Sequence, residues 1–147
     1  MTVELREVNE KNFDECIGLK VAESQNGFVA TNLMSIAHSA IYPGLKPRAV
    51  YDGDEMVGFV LFGLDPDEGK HFLVRLMVDE SRQGKGYGRL ATEKVIEELR
   101  NTEGCDAIYL YCVPDNENAF RLYESLGFER TGKIDEEDGE VEMRLGL

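Results

Sequence analysis

The sequence predicts an α/β fold built as a single domain over residues 1–147, with a mixed sheet flanked by helices. The chain length, the hydrophobic pattern and a glycine-rich segment between a strand and a helix support this fold class. The length suits one domain with a core of its own. The pattern alternates between strand and helix periods and predicts the element order β-α-α-β-β-β-α-β-α-β-β.

The N-terminal part is predicted to hold one strand and two helices. Residues Thr2–Val8 alternate loosely and indicate the strand. A helix capped by Asn9 or Asn12 follows, and Asn26–Gly27 are expected to end it. Its apolar stripe comprises Phe13, Ile17, Val21 and Ala22. The second helix ends at Pro43–Gly44 and has the stripe Leu33, Ile36, Ala37, Ala40 and Ile41.

Strands are predicted to form the middle of the chain. Arg48–Tyr51 and Met56–Leu64 are joined by Asp52–Glu55, whose Asp-Gly pair is typical of a hairpin. An acidic turn at residues 65–69 leads into the apolar strand His71–Val78.

The C-terminal half alternates helices and strands. An amphipathic pattern begins at Tyr87 and ends near residues 100–104, and the apolar run Ala107–Val113 suits a buried strand. Asn116 opens the last helix and Gly127 ends it. Residues 128–133 and 141–145 are the final strands, joined by an acidic turn at residues 135–140.

Composition and charge exclude several classes of function. The formal net charge of -13 disfavours nucleic acid as a partner, because a phosphate backbone repels an acidic surface. No apolar run is long enough to cross a membrane, and no signal peptide precedes the first strand. The cysteines Cys16, Cys105 and Cys112 lack metal-site spacing and an even count. We therefore expect a cytoplasmic protein with reduced thiols, no bound metal and no membrane partner.

The segment Leu76–Arg89 combines a strand end, alternating glycines and a helix start. Glycines let the backbone approach a ligand closely, and a helix N-terminus offers unpaired N–H groups. Arg82, Lys85 and Arg89 reverse the acidic character of the chain at this point. Together these features predict an anion site, and a phosphate is the expected ligand. An ordinary glycine-rich turn between a strand and a helix is the alternative.

The glycine spacing distinguishes among known phosphate loops. It lacks the G-x-G-x-x-G order of a dinucleotide site, and Lys85 is followed by Gly86 where a nucleoside-triphosphate loop has Ser or Thr. The pattern Gln83-x-x-Gly86-x-Gly88 resembles instead the acetyl-coenzyme A loop of the GNAT superfamily of N-acetyltransferases. Its position after a strand and before a helix fits that resemblance.

Further segments extend the resemblance over about residues 48–128. Asn116-x-x-Ala-x-x-x-Tyr123-x-x-x-Gly-Phe128 resembles a GNAT motif at the expected distance from the glycine loop. The hairpin Asp52–Phe59 is also similar to the family's. Within the superfamily, the stretches at residues 23–26 and 61–64 resemble bacterial spermine/spermidine (diamine) acetyltransferases.

The resemblance implies a mostly antiparallel sheet that splays at its centre, with acetyl-CoA as the co-substrate and no metal. An amine would attack the thioester directly in a ternary complex. The strand end would pair with the pantetheine arm, the glycine loop would hold the pyrophosphate, and Asn116 would contact the pantetheine. The implied cofactor-binding residues are Leu76, Met77, Val78, Gln83, Gly84, Lys85, Gly86, Tyr87, Gly88, Arg89 and Asn116.

The resemblance assigns Tyr123 as the general acid that protonates the departing thiolate. The alternative is a core residue, because Tyr123 also lies on the apolar stripe of its helix. Some polyamine acetyltransferases carry a carboxylate that could act as the general base, on the strand before its pantetheine-binding end. This chain has Leu73, Val74 and Arg75 there. Glu23 or a chain of waters could act as the base instead. His38 and His71 are interpreted as surface residues.

A small cationic amine, a polyamine or diamine, is the predicted acceptor. Acidic residues outnumber basic ones 29 to 16, and they concentrate at residues 65–68 and 135–142. The alternatives are another amine (an amino acid, an aminoglycoside or a protein N-terminus) and a non-catalytic module that binds acyl-CoA. The resemblance also allows a homodimer.

Overall fold

The computed structural model describes residues 1–21 and 31–147. Their strands and helices, in chain order, are β1 (Val3–Glu7), α1 (Phe13–Gly18), α2 (Asn32–Ile41), β2 (Leu45–Asp52), β3 (Glu55–Asp65), β4 (Lys70–Val78), α3 (Tyr87–Arg100), β5 (Ala107–Cys112), α4 (Glu117–Ser125), β6 (Glu129–Ile134) and β7 (Val141–Gly146). A short 3-10 helix, Glu80–Arg82, links β4 to the glycine-rich segment. This order confirms the predicted α/β fold class.

The strands form one seven-stranded sheet in the order β1-β2-β3-β4-β5-β7-β6. All neighbours are antiparallel except β4 and β5, which are parallel. These two strands pair only at their starts, through His71 with Ile108 and Phe72 with Tyr109. Beyond Phe72 they separate, so the sheet is splayed at its centre, as the resemblance implies.

Helices cover the sheet on both faces. On one face, the apolar stripe of α3 and Phe120 of α4 pack against strand residues that include Val60, Ile108 and Leu110. On the other face, Cys16 of α1 packs with Phe59 and other strand residues, and Ile36 of α2 lies against this second cluster. The sheet therefore separates two apolar cores, and the splay between β4 and β5 opens beside both.

Both helices before β2 differ from their predicted patterns. Helix α1 ends at Gly18, so Val21 lies outside it, and the expected end at Asn26–Gly27 lies outside the described residues. In α2 most of the predicted apolar stripe faces outward: Leu33 is 54% exposed and Ile41 is 72% exposed, while Ile36 lies against the second cluster. The fully buried residues of α2 are polar, Asn32 and Ser35, and Asn32 accepts hydrogen bonds from the buried Arg75.

Several local signals are confirmed. Asn116 caps α4 by accepting the Ala119 N–H at 3.2 Å. Gly127, with φ of +100°, ends the helix in a left-handed conformation that suits glycine. The Asp52–Glu55 pair closes the β2–β3 hairpin.

In the part of the chain that the structure describes, no helix has the length and apolar character to cross a membrane.

Candidate active site

A cavity of about 580 Å³ opens where β4 and β5 separate. One wall is the second half of β4, Leu73–Val78, and the opposite wall is the end of β5 with Leu110–Val113. The glycine-rich segment and the start of α4 close one end. Val21, Ser35 and His38 lie along another part of the lining. The splay thus converts the middle of the sheet into a groove with free strand edges.

A bulge in β4 shapes the first wall. Leu61 of β3 pairs with Arg75, but the next residue, Phe62, pairs with Leu73, so Val74 has no partner on β3. At the end of the strand, Gly58 of β3 lies opposite Val78, and a Cβ there would collide with the Met77 carbonyl oxygen. The bulge and the close approach at Gly58 set the path of the Leu76–Val78 segment, whose β5-facing edge pairs with no described strand.

The glycine-rich segment has the backbone geometry expected of an anion site. Gly84 and Gly86 have φ values of +78° and +89°, and a Cβ at either would meet open space. Gly86 is the N-cap of α3, and the Leu90 N–H is the first to bond back, to the Gly86 carbonyl at 3.2 Å. The N–H groups of the first turn therefore have no partner within the helix and are free to bind an anion.

The cations predicted here have protein partners or lie outside the cavity. Arg82 lines the cavity but forms an ion pair with Glu55 at 2.6 Å. Arg89 donates to the Ser125 hydroxyl at 2.7 Å and pairs with Glu93 at 3.3 Å, and it does not line the cavity. Lys85 is exposed outside the lining. Backbone N–H groups are therefore better placed than these side chains to hold the predicted anion.

Other predicted cofactor-binding residues line the cavity in different ways. The Gln83 side chain donates to the Val78 carbonyl at 3.1 Å and so ties the loop to the strand end. Tyr87 is buried, and its hydroxyl donates to Asp52 at 2.6 Å, so only its backbone faces a ligand. The Asn116 side-chain oxygen is occupied in capping α4. The predicted cofactor-binding residues in the lining are Leu76, Met77, Val78, Gln83, Gly84, Gly86, Tyr87, Gly88 and Asn116.

Tyr123 also lines the cavity, from α4. Its ring packs edge-on against Phe128 with 5.7 Å between centroids, and no hydrogen bond joins its hydroxyl to another described residue. Burial raises the pKa of the phenol well above its usual range, so Tyr123 stays protonated and can donate a hydrogen bond or a proton.

Arg75 is a buried cation in the β4 wall. It is 8% exposed, and its Nε and Nη2 donate to the Asn32 side-chain oxygen at 3.1 and 2.9 Å. Its Nη1 has no partner among the described residues, and no described carboxylate contacts the guanidinium. Burial lowers the pKa of Arg75 to about 10, so it remains charged near neutral pH.

Glu140 faces the cavity from the turn that precedes β7. It is half-buried, and the pKa of its carboxyl is raised to about 7, first by burial and then by a hydrogen bond and charge from Asp138. Sequence reasoning missed it as a site residue because it belongs to an acidic turn that resembles a solvated loop. Only its tertiary position beside β5 distinguishes it from its neighbours.

Other outcomes complete the site. The predicted base Glu23 lies outside the described residues. His38, which the sequence suggests is a surface residue, is exposed but also lines the cavity, as does Ser35 of the same helix. Within the described ranges, no group of acidic, histidine or cysteine side chains could hold a metal ion.

Comparisons with known proteins agree with this geometry. A model of the Acetyltransferase (GNAT) family matches residues 9–128. The chain is 28% identical over 141 residues to a spermine/spermidine N(1)-acetyltransferase of Bacillus subtilis (strain 168), covering 92% of this chain and 93% of the relative.

Solved structures share the fold. An aminoglycoside acetyltransferase in complex with coenzyme A matches with a TM-score of 0.81 at 20% identity, over 99% of this chain and 95% of that one. A Vibrio cholerae spermidine N-acetyltransferase in complex with CoA and spermine matches with a TM-score of 0.78 at 17% identity, over 98% and 95%.

Proposed function

Because the chain belongs to the GNAT acetyltransferase family, we propose that it transfers the acetyl group of acetyl-CoA to a primary amine. The single observation that carries this proposal is the cavity between β4 and β5, which joins the Gly84–Gly88 segment to Tyr123. It offers an anion site at one end, a free strand edge along its length, and a neutral proton donor. A ternary complex of acetyl-CoA and amine fits these features.

In the proposed cofactor site, backbone groups would make most of the contacts to acetyl-CoA. Unpaired N–H groups at the start of α3 would hold the pyrophosphate. Gly84 and Gly86 leave open space there, which a side chain would fill. The unpaired edge of Leu76–Val78 would bond the pantetheine arm as a neighbouring strand would. The Asn116 amide adds a polar group at the start of α4, while Lys85 and Arg89 would act only through long-range charge.

Tyr123 is proposed as the general acid. Attack of the amine nitrogen on the thioester carbonyl forms a carbon–nitrogen bond and breaks the carbon–sulfur bond. The departing thiolate needs a proton, and the Tyr123 hydroxyl can supply one because it is neutral and forms no hydrogen bond to a described residue. The buried phenol is a weak acid, so we expect proton transfer from Tyr123 to sulfur to be concerted with cleavage of the carbon–sulfur bond.

A polyamine or diamine is the first candidate acceptor. It is supported by the Bacillus subtilis relative, named for spermine and spermidine, which aligns with 92% of this chain. The acidic turn at residues 135–140 adds physical support, because Glu140 brings its negative charge into the cavity lining. A polycation would be attracted to this side of the site.

An amine that carries a carboxylate is a second candidate, favoured by Arg75. A buried guanidinium without a described counter-charge disfavours a polycation nearby and favours an anionic group. A free amino acid has such a group close to its amine. The two candidates differ in the charge of the substrate at the β4 wall.

A steady-state assay of thiol release from acetyl-CoA tests the proposal. The panel contains spermidine, spermine, a diamino acid, an aminoglycoside and a simple diamine. Turnover of the polyamines with high kcat/KM supports the first candidate, and preference for the diamino acid supports the second. Tight CoA binding without turnover of any amine would contradict the proposed enzyme and favour a binding module.

The cytoplasm is the proposed location. Cys16, Cys105 and Cys112 are all free, and burial raises the pKa of Cys16 and Cys112 to about 11, so these thiols stay protonated and unreactive. Unpaired buried cysteines are typical of proteins from a reducing compartment.

A homodimer, which the family resemblance allows, is a further proposal. Size-exclusion chromatography with light scattering tests it.

A further inference from the structure

The proposed reaction needs a group that removes a proton from the acceptor, because an amine attacks only after its ammonium form has lost one. Among the described residues that line the cavity, Glu140 is the only carboxylate. We propose that Glu140 is the general base of this acetyltransferase. The inference rests on the proposed function and applies to either class of acceptor.

The turn before β7 fixes the position of Glu140. Its carbonyl accepts the Asp135 N–H at 2.9 Å, and its own N–H donates to the Asp138 side chain at 2.9 Å. The next residue, Val141, pairs with Cys112 at the end of β5. Glu140 is therefore held where β5 ends, on the opposite side of the cavity from the β4 wall.

Glu140 and the proposed acid Tyr123 line the same cavity. The Cys112 thiol lies near enough to both Glu140 and Tyr123 for charge on one group to affect the pKa of the other, and all three residues line the cavity. Cys112 itself stays a neutral thiol because burial raises its pKa to about 11. A proton acceptor at the end of β5 and a proton donor on α4 thus line one cavity, at a level where β4 has already separated from β5.

The surroundings of Glu140 suit a base. Burial raises the pKa of its carboxyl to about 7, helped by Asp138 and Asp135 of the same turn. On the neighbouring elements, the Cys112 thiol of β5 and the Tyr123 phenol of α4 are both neutral. Arg130 of β6 is near enough for its positive charge to lower the pKa of the Cys112 thiol. A carboxyl of this pKa is largely ionised at mildly alkaline pH and still holds a proton well, as a base requires.

His38 is the competing candidate, because it also lines the cavity and histidine is a common general base. It is exposed on α2, and its ring contacts Tyr42 at 6.5 Å between centroids. No structural feature places it at the end of β5 with Tyr123. Glu140 is favoured because it is half-buried and is held at the end of β5, in the same cavity lining as the proposed acid.

The proton balance follows from these positions. The Glu140 carboxylate takes one proton from the ammonium, and the nitrogen lone pair then bonds to the thioester carbon. The carbon–sulfur bond breaks, Tyr123 gives its proton to sulfur, and the second nitrogen proton returns to Tyr123. Glu140 releases its proton to solvent after the products leave. The products are the acetamide, free CoA thiol and one proton.

This assignment predicts both a pH profile and a stability profile. The value of kcat/KM should rise with pH through about 7, as Glu140 ionises. Because the folded pKa lies above the ordinary value of 4.5, protonation stabilises the fold below about pH 4.5 and that stabilisation is lost as the pH rises through about 7. Glu140→Gln should therefore be at least as stable as the wild type at alkaline pH, with the difference closing in acid.

The test compares kcat/KM across pH for the wild type, Glu140→Gln and Glu140→Asp, with spermidine and a diamino acid as acceptors. Glu140→Gln should lose about 100-fold in kcat/KM at neutral pH and lose the acid limb near 7, while CoA affinity by calorimetry stays unchanged. Glu140→Asp should keep the limb at an intermediate rate. Glu129→Gln, which removes the same charge from an exposed site on β6, should behave as wild type.

The outcomes separate the two proposals. A wild-type protein that acetylates no amine overturns the proposed function, and the base role falls with it. A wild-type enzyme that turns over an amine, while Glu140→Gln keeps its rate within about threefold or keeps the acid limb, overturns the base role alone. Thermal melts at alkaline pH show that each variant is folded before its rate is interpreted.

Discussion

Arg75 donates two hydrogen bonds to the Asn32 side-chain oxygen, and Asn32 in turn donates to the Cys16 carbonyl at 2.9 Å. This pair joins β4 to α2 and, through Cys16, to α1. Both side chains are buried, at 8% and 3% exposure, so the guanidinium depends on the amide for its partners. The relationship explains why α2 presents polar residues to the sheet.

Asn32→Leu should destabilise the fold by about 3–5 kcal/mol, because it leaves a buried charge without its hydrogen-bond acceptor. The double variant Asn32→Leu with Arg75→Met should recover much of that loss, since removing both partners leaves an apolar contact. Urea denaturation of the wild type, both single variants and the double variant measures the coupling. A double variant no more stable than Asn32→Leu would show that the pair is not what stabilises this region.

Gly86→Asp should weaken CoA binding by about 100-fold, because it places a carboxylate where the pyrophosphate is expected and like charges repel strongly at short range. It also forces a residue with a Cβ into a positive φ, at a cost of about 1–2 kcal/mol. Isothermal titration calorimetry with CoA measures the affinity.

Gly104→Asp is the matched control for the Gly86 variant. Gly104 also has a positive φ, of +81°, with open space around its Cβ position, but it follows the far end of α3. The two variants therefore share the strain and the added charge, and differ in their distance from the cavity. Equal CoA affinity in both, with both folded, would contradict the placement of the phosphate site.

Tyr123→Phe should lower kcat by about 100-fold and leave CoA affinity close to wild type, because the ring contact with Phe128 is kept and only the hydroxyl is lost. Stopped assays of thiol release give kcat, and calorimetry gives the affinity. Tyr42→Phe, which removes an exposed hydroxyl outside the cavity lining, serves as the control. A rate within about twofold of wild type would make Tyr123 a packing residue.

If a polyamine is the acceptor, kcat/KM for spermidine should fall severalfold as salt rises, while kcat/KM for a zwitterionic amine changes little. Attraction between exposed charges is screened over a Debye length of about 8 Å at physiological ionic strength. Neutralising Glu136 and Glu137 together should raise KM for spermidine. Asp135 and Asp138 are left intact in this variant, because the first caps the turn and the second bonds to Glu140.

Glu97→Gln with Glu103→Gln is the control for that experiment. Both residues are exposed at the far end of α3, so the net charge changes equally while the cavity end of the molecule keeps its charge. The assay is kcat/KM for spermidine at low and high salt in all three proteins. If salt affects every acceptor alike, or both double variants raise KM equally, steering by the acidic turn is excluded.

Much of the fold follows from local patterns. The strands, the β2–β3 hairpin, the Asn116 cap and the Gly127 end of α4 each depend on a few neighbouring residues, and the structure agrees with them. The predictions for α1 and α2 were less accurate. Apolar spacing at Leu33 and Ile41 predicts a buried stripe, but a hydrophobic pattern does not specify which surface the helix meets.

The sequence by itself determined the glycine segment, the helix that follows it and the motif around Tyr123, because turn conformation and helix capping act over a few residues. Only the tertiary structure decided that β4 and β5 part after Phe72, that Arg75 is buried against Asn32, and that Glu140 faces the cavity. Burial and charge environment depend on residues far apart in the chain. A carboxylate in an acidic turn is a solvated surface group when the turn lies in open solvent. It becomes a candidate base when the turn folds beside a strand end that borders the cavity, as Glu140 does at the end of β5.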